Sequence, residues 1–291
     1  MLRTLLTTSG QVETYSFIEI EEKRYTVKVE GTALSLALGA CDVNTGKDKK
    51  GNDKNDGMAE MIASYFSKLN DGETEKANQI QAQFPEGWEE KEAERNKKDI
   101  AALHKVVNAI AESKNDDDKA LNDALDEFRE HLRPKAVIMT GMHFNPQLLI
   151  EAFKLYVEKY NAFGEYNSRM NNLFWREVIG GIQRFLPACD AQAFCQSLYD
   201  LVKDREKLNR SLKFRENTDV TFYPLDSDLR FRLGFNFAAA GGVVASQAGW
   251  LPPFSFDGFF LSFLKTYVEQ KHQRCNDLRN VQTISRKTVA P

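Results

Sequence analysis

The pattern of apolar and polar positions predicts three consecutive helices between residues 145 and 204. In the first, apolar residues recur at steps of three and four from Leu149 to Tyr160, which is the spacing of one helical face. Asn145-Pro146 before it supplies a capping side chain and a proline at the first helical position. A second apolar stripe runs from Phe174 to Leu186, and a third helix is expected to begin with Asp190 as its cap. Because the connections are short, we expect neighbouring antiparallel helices that form the centre of the core.

The N-terminal residues 1–41 carry the period of a β-strand and predict a small β unit. Apolar and polar side chains alternate around Val27 and Val29, as they do in a half-buried strand. Residues 15–20 are the expected partner strand. The segment Leu34–Leu38 fits either a strand or one face of a helix, so the sequence leaves its structure open.

Residues 42–57 predict a charged, solvated loop, and residues 58–135 predict a charged helical layer. The loop begins like a calcium-binding loop, but its sixth position is Lys47, where glycine is required. Four narrow apolar stripes within 58–135 predict four amphipathic helices. Their outer faces are highly charged, so we expect them to pack on the surface and to be more mobile than the helices of 145–204.

In the C-terminal third of the chain, apolar and polar residues alternate again with the period of two that is typical of a β-strand. Alternation across 219–237, with a turn at residues 224–228, predicts a β-hairpin. Residues 256–268 predict a final helix, and residues 276–291 a tail. The predicted fold class is therefore α+β and predominantly helical, with a helical core, hairpin and helix within 136–275.

Composition narrows the class of protein. The 291 residues include 39 basic and 42 acidic side chains, for a net charge of −3, and this balance argues against a nucleic-acid-binding protein. Four cysteines are scattered without zinc-ligand spacing, so we expect free thiols in a reducing compartment and no cofactor. The uncharged stretch 233–256 is interrupted by glycines and by two prolines, so we predict no membrane span. No apolar segment of a signal peptide follows Met1.

Basic residues near the predicted hairpin form a candidate binding surface. Two arginines would project from the face opposite Phe231, since neighbouring strand residues point to opposite sides. The segment 210–215 would lie beside them. Such a patch could bind phosphate groups such as anionic lipid headgroups, or it could be a solvated face balanced by nearby acidic residues. The candidate binding residues are Arg210, Lys213, Arg215, Arg230 and Arg232.

Two further patterns point to catalysis. Cys189 precedes a predicted helix N-terminus, which would lower its thiol pKa if the side chain were exposed. His143 or His272 could then act as the base, whereas Cys195 shares an apolar stripe and is expected in the core. Asp226-Ser227-Asp228 could hold a divalent metal ion between the two carboxylates of Asp226 and Asp228. Asp and Ser are also common turn residues, so the sequence assigns no metal site.

Two stretches resemble a module of effector proteins that intracellular bacteria deliver through the type IV Dot/Icm secretion system. They are Asn172–Cys195 and Phe222–Phe235, and the resemblance covers roughly residues 136–237 without any catalytic motif. It implies synthesis in the bacterial cytoplasm, followed by secretion and action in the host-cell cytosol. The leading hypothesis is a non-enzymatic effector or adaptor that binds a host protein or a membrane surface. The alternative is an effector enzyme, either a cysteine hydrolase or a metal-dependent transferase.

Overall fold

The computed structural model describes residues 1–14, 27–114, 118–133, 135–164, 168–183, 185–210 and 260–287. These residues form a mainly helical α+β fold, which confirms the predicted fold class. The first elements are α1 (Leu2–Thr7), β1 (Gly10–Thr14), β2 (Val27–Gly31), α2 (Ala33–Gly39), α3 (Met58–Phe66) and α4 (Gly72–Gln83). They are followed by α5 (Trp88–Glu112), α6 (Lys119–Leu132), α7 (Pro146–Phe163), α8 (Arg169–Leu173), a π-helical turn (Phe174–Ile179), α9 (Gly180–Gln183), α10 (Ala188–Gln196), α11 (Leu198–Val202) and α12 (Leu261–Lys287).

The small sheet confirms the period-two pattern of the N-terminal residues. β1 and β2 pair antiparallel, with Val12 opposite Val29. Val27 and Val29 are buried while Lys28 between them is exposed. This alternation is that of a strand with one face on the core. The expected partner strand at residues 15–20 lies outside the described residues.

The segment Leu34–Leu38, which the sequence left open, is helical. Thr32 caps α2, because its Oγ1 accepts a hydrogen bond from the backbone N–H of Ser35. Leu34 and Leu38 are one helical turn apart, and both are buried on the same face. The cap Thr32, one residue before the helix, therefore favours a helix over a strand for this segment.

The predicted central helices lie in the main core, but the third begins at Ala188, so the prediction that Asp190 caps it is wrong and Asp190 lies in its first turn. α7 begins with Pro146 at its first turn, and the Asn145 side chain accepts a hydrogen bond from the backbone N–H of Gln147. The Trp175 ring lies 5.0 Å from that of Tyr156 and 5.9 Å from that of Phe153, measured between centroids. Burying an aromatic side chain of this kind stabilises the fold by about 1.5–3 kcal/mol.

The expectation of surface packing is wrong for the C-terminal half of α5. The C-terminal half of this helix buries four side chains completely, and it packs against α6 and α7. The charged residues are concentrated in the N-terminal half of the helix. The average composition of residues 58–135 therefore does not indicate that the C-terminal half of α5 is apolar. The completely buried residues are Leu103, Val106, Val107 and Ile110.

The C-terminal prediction needs one correction. α12 runs from Leu261 to Lys287, so residues 276–287 of the predicted tail are helical. The predicted hairpin at 219–237 and the uncharged stretch 233–256 lie outside the described residues. In the part of the chain that the structure describes, no helix combines the length and apolar character needed to cross a membrane.

Candidate functional site between α5 and α12

α12 connects two hydrophobic clusters, and the candidate site lies where they meet. The buried residues of the main cluster come mostly from helices α5 to α12, and they include Leu264 and Val268 of α12. The buried residues of the N-terminal cluster come mostly from α1 to α4 and the loops beside them, joined by Met142 and by Cys275 of α12. Successive turns of one helix therefore pack against both parts of the protein.

A buried ion pair attaches α12 to α10 at this junction. Lys271 is 3% exposed, and its Nζ forms an ion pair with the Asp190 carboxylate. The Tyr267 hydroxyl donates to the same carboxylate over 2.9 Å. Burial alone would lower the pKa of Lys271, but Asp190, together with smaller contributions from Cys189, Tyr267 and Cys41, outweighs this effect and holds the pKa well above its ordinary value. Lys271 is therefore charged at neutral pH and neutralises the carboxylate that it contacts.

Cys189, the predicted nucleophile, lies beside this pair. Its Sγ is 3.6 Å from the Lys271 Nζ and donates to the Ala40 carbonyl, also over 3.6 Å. Burial raises the pKa of the Cys189 thiol far above its ordinary value, so the thiol stays protonated at neutral pH. A thiolate is the reactive form, and this environment therefore does not favour Cys189 as a nucleophile.

His143, the predicted base, contacts the residue next to the Ala40 that Cys189 contacts. Its backbone N–H donates to the Gly39 carbonyl over 2.7 Å. Burial, aided by the charge of Arg95, lowers the pKa of His143 to about 4. Among the contacts of the described residues, none joins His143 to Cys189, so the catalytic pair has no geometric support.

A cleft of about 310 Å³ opens between the N-terminal end of α5 and α12. Arg279 forms part of its wall, with its guanidinium 4.4 Å from the Trp88 ring and 4.8 Å from the Phe84 ring. The same guanidinium donates to Glu89 over 3.1 Å. Stacking and pairing together fix the orientation of this long side chain. The other lining residues are Glu92, Ala93, Asn96, Met142, Asn145, Pro146, Gln147, His272, Cys275 and Asn276.

The expectation of a solvated loop at 42–57 is wrong at both ends of the loop. The Asp56 carboxylate accepts hydrogen bonds from the backbone N–H groups of Thr45 and Leu208, over 2.8 and 2.9 Å. Lys54 is 1% exposed, and its Nζ donates to the Leu201 carbonyl over 2.6 Å. The loop thus binds α11 and the segment that follows it, and the charges of Lys54 and Asp56 are used internally.

Arg210, one of the predicted binding residues, takes part in the same connection. Its guanidinium forms two hydrogen bonds with the Asp42 carboxylate, over 2.5 and 2.8 Å, and it also donates to the Asp56 carbonyl. Asp42 holds the pKa of Arg210 above its ordinary value. Arg210 is therefore committed to an internal ion pair and is not a free member of a basic surface.

The remaining candidate residues cannot be placed. Within the described residues, no cluster of three or more His, Cys, Asp or Glu side chains could hold a metal ion. The rest of the predicted basic patch and the metal-binding pattern stay predictions, and so does the core position of the Cys195 side chain. The residues outside the described part are Lys213, Arg215, Arg230, Arg232, Asp226 and Asp228.

Sequence reasoning missed Lys271, although a signal for it exists. Tyr267, Lys271 and Cys275 recur at steps of four and share one face of α12. A lysine on an otherwise buried face indicates a buried partner of opposite charge, because an unpaired charge is costly there. The partner itself, Asp190, could not be identified from spacing.

Comparison with known proteins covers the second part of the chain. Residues 148–287 match the family model of the CBUA0006 C-terminal domain. That description carries the name of a Coxiella protein, and the match covers just under half of the chain. No curated protein and no solved structure gives a significant match. The matched domain supplies the α12 wall of the cleft, while α5 and Met142 supply the opposite side.

Proposed function

We propose that this protein is a secreted effector of an intracellular bacterium that binds a host protein, without catalysis, in the cleft between α5 and α12. The observation that carries the proposal is the cleft wall, in which Arg279 is stacked on Trp88 and paired with Glu89. The match to a domain described by a Coxiella protein name supports an effector of this type. The resemblance to Dot/Icm effectors supports it as well.

The chemistry of the wall suits a polypeptide segment. Tryptophan and arginine are the side chains that most often dominate the binding energy of protein interfaces. Because Arg279 is already held in place, it loses little conformational freedom on binding. Gln147 and Asn276 are exposed at the cleft, and their amides can donate to and accept from a peptide backbone.

The charge of the cleft favours a basic segment. Glu89 and Glu92 both line it, and Arg279 is the one arginine or lysine among its lining residues. Glu92 is already paired with Arg95, whereas the Glu89 side chain is 71% exposed beside Arg279. Burial lowers the pKa of His272, so its imidazole is neutral at neutral pH. We therefore expect a lysine or arginine of the partner beside the exposed carboxylate of Glu89.

Site-specific photo-crosslinking tests the binding site. A photoreactive amino acid at Gln147, on the full-length chain, should crosslink a defined protein of host-cell lysate. The matched control carries the same group at Gln273, an exposed amide on α12 that does not line the cleft. The same products from both positions, or none from Gln147, would overturn the binding site. A parallel experiment with anionic phospholipid vesicles tests the membrane surface as the alternative partner.

Translocation tests the secretion part of the proposal separately. A reporter enzyme fused to the chain should reach the host cytosol from bacteria with an intact Dot/Icm system. It should not reach the cytosol from a strain in which that system is inactivated. Delivery of the reporter from both strains, or from neither, contradicts secretion by the Dot/Icm system. Either outcome leaves the proposal of partner binding in the cleft untouched.

A further inference from the structure

A second concave surface lies on a different face of α5 from the one that lines the cleft. It consists of an inner cavity of about 170 Å³ and an outer basin of about 760 Å³. Arg95, Asp99 and His131 line both of them, so the inner cavity opens into the outer basin. Among the described residues, Asn145 alone lines both the cleft and the inner cavity. The surface is therefore separate from the proposed protein-binding site.

The inner cavity has the size of one six-membered ring. An apolar cavity of about 150 Å³ is large enough to bind benzene, and the inner cavity is slightly larger. Its wall is largely apolar, with Val27, Ile138, Phe144 and Ile182 contributed by four separate segments of the chain. His143 in the same wall adds no charge at neutral pH, because burial lowers its pKa to about 4. The inner cavity therefore suits the uncharged part of a ligand.

The outer basin is positively charged, although the net charge of the protein is −3. Five lysine or arginine side chains line it, against the three carboxylates of Glu90, Glu94 and Asp99. An excess of one sign of charge in a concave surface attracts ligands of the opposite sign. The five cationic residues are Lys91, Arg95, Lys98, Arg133 and Lys135.

Three of these cations are accessible to a ligand. Lys91 and Lys135 are exposed, and neither forms an ion pair with a residue of the described part of the chain. The Lys98 Nζ lies 3.4 Å from the Glu94 carboxylate, but the two side chains are 66% and 56% exposed. Exposed pairs of this kind contribute about 0–1 kcal/mol. A stronger anion can therefore replace Glu94 beside Lys98.

A hydrogen-bonded group of side chains lies where the inner cavity meets the outer basin. The Asp99 carboxylate binds His131 Nε2 and accepts from Asn145 Nδ2, each over 2.8 Å, so both of its oxygens are occupied. The Nδ1 of His131 has no partner among the described residues. One Nη of Arg95 donates to the Met142 carbonyl over 2.8 Å and keeps a second N–H. This position therefore presents a guanidinium and an imidazole nitrogen to a ligand, and not an unpaired carboxylate.

We propose that this surface binds a free aryl phosphate, a small molecule in which one aromatic ring carries a phosphate monoester. The ring fills the inner cavity, and the phosphate lies among the cations of the outer basin. A phosphate monoester carries a charge of about −1.5 to −2 at neutral pH and three strong acceptor oxygens, and lysine and arginine bind it through charge-assisted hydrogen bonds. A carboxylate brings less charge and fewer oxygens, so it makes less use of the five cations.

Isothermal titration calorimetry of the full-length protein, in a buffer without phosphate, tests both parts of the site. Phenyl phosphate combines the ring and the anion, whereas phenol supplies the ring alone and inorganic phosphate the anion alone. Phenyl phosphate should bind with a Kd at least about tenfold lower than that of either fragment, because it joins two binding groups in one molecule. An equal Kd for either fragment, or no binding of phenyl phosphate at millimolar concentration, would overturn the proposal.

A double variant tests the position of the phosphate. Lys91→Gln combined with Lys135→Gln removes two exposed cations of the outer basin, and it should raise the Kd of phenyl phosphate by about tenfold. The matched control combines Lys97→Gln with Lys114→Gln, because both lysines are exposed and line neither the basin nor the inner cavity. It has the same net charge and should leave the Kd within about twofold of the wild type. The same Kd for both double variants would overturn the position of the phosphate.

Ile138→Phe tests the position of the ring. The larger side chain occupies part of the inner cavity, so the Kd of phenyl phosphate should rise by about tenfold, while that of inorganic phosphate should not change. Val137→Phe is the matched control, because Val137 is exposed and does not line the cavity. No difference between the two variants would overturn the position of the ring. The wild-type titrations need no substitution, so they decide the proposal even if Ile138→Phe fails to fold.

A short peptide with one phosphotyrosine distinguishes a free molecule from a modified protein. In phosphotyrosine the peptide chain continues from the end of the ring opposite to the phosphate. With the phosphate in the outer basin, that chain would have to pass through the inner cavity. The peptide should therefore bind at least about tenfold more weakly than phenyl phosphate. Binding as tight as that of phenyl phosphate would overturn the assignment to a free molecule.

Discussion

Lys271→Met is expected to destabilise the protein strongly, because it leaves the Asp190 carboxylate in the core without its cation. The Lys271 side chain is 4% exposed and that of Asp190 is 12% exposed. Removing one partner of a buried ion pair typically costs about 3–5 kcal/mol. The Tyr267 hydroxyl still donates to Asp190 over 2.9 Å, so we expect the lower end of this range. For a chain of this size the loss corresponds to a Tm about 6–12 °C lower.

The measurement is thermal unfolding followed by circular dichroism, with Lys105→Met as the matched control. Lys105 forms an ion pair with Glu127 across α5 and α6, but the two side chains are 61% and 58% exposed. Exposed pairs contribute about 0–1 kcal/mol, so the control should melt within about 4 °C of the wild type. Equal Tm values for Lys271→Met and Lys105→Met would refute the anchoring of α12 by this pair.

The pH dependence of stability provides a second test of the same pair. The folded-state pKa of Lys271 is raised above its ordinary value of 10.5. Its stabilisation is therefore fully present below pH 10.5 and is lost as the pH rises through the folded-state pKa. The wild type should lose more stability than Lys271→Met above that pH. Parallel curves for the two proteins would contradict the charge assignment.

Three further predictions concern other parts of the fold. Asp56→Ala should lower the free energy of unfolding by roughly 3 kcal/mol, because the buried backbone N–H groups of Thr45 and Leu208 lose their acceptor. The Leu208 amide should then exchange hydrogen faster than in the wild type, and an unchanged exchange rate would contradict this role of Asp56. Gly72→Ala should lower the free energy of unfolding, measured by chemical denaturation, by about 3 kcal/mol, because a Cβ there would lie 1.7 Å from the Phe66 carbonyl oxygen. A variant as stable as the wild type would refute this close approach. His143 should titrate by NMR near pH 4 rather than 6.5. Because its folded pKa is depressed, roughly 3 kcal/mol of stability should be lost as the pH falls from 6.5 to 4, and an imidazole that titrates near 6.5 would contradict its burial.

Local signals in the sequence were sufficient for much of the fold. α7 was predictable because its cap Asn145 and first-turn Pro146 act within a few residues of the helix start. The apolar spacing of α2 fits a strand as well as a helix, and the cap Thr32 is what distinguishes the helix. α5 was assigned to the surface because its charged half outweighed its apolar half in composition.

The candidate site depends on contacts between residues that are distant in the sequence, so less of it could be predicted from the sequence. Lys54 was expected in solvent, but it is buried because its Nζ donates to the Leu201 carbonyl, 147 residues away. The position of Cys275 in the cleft wall depends on how α12 packs against α5, and no local pattern in the sequence indicates it. Periodicity indicates which face of a helix is buried, but it does not identify the partner residue on another element.

The affinity of the crosslinked partner for cleft variants tests the central claim most directly. Gln147→Arg places a positive charge in the cleft without removing a buried group, and Gln273→Arg places the same charge on the same protein outside the cleft. For a basic segment bound in the cleft, Gln147→Arg should raise the Kd by about tenfold or more, which corresponds to about 1.4 kcal/mol. Gln273→Arg should leave the Kd unchanged. Equal Kd values for the two variants would show that the partner does not bind in the cleft.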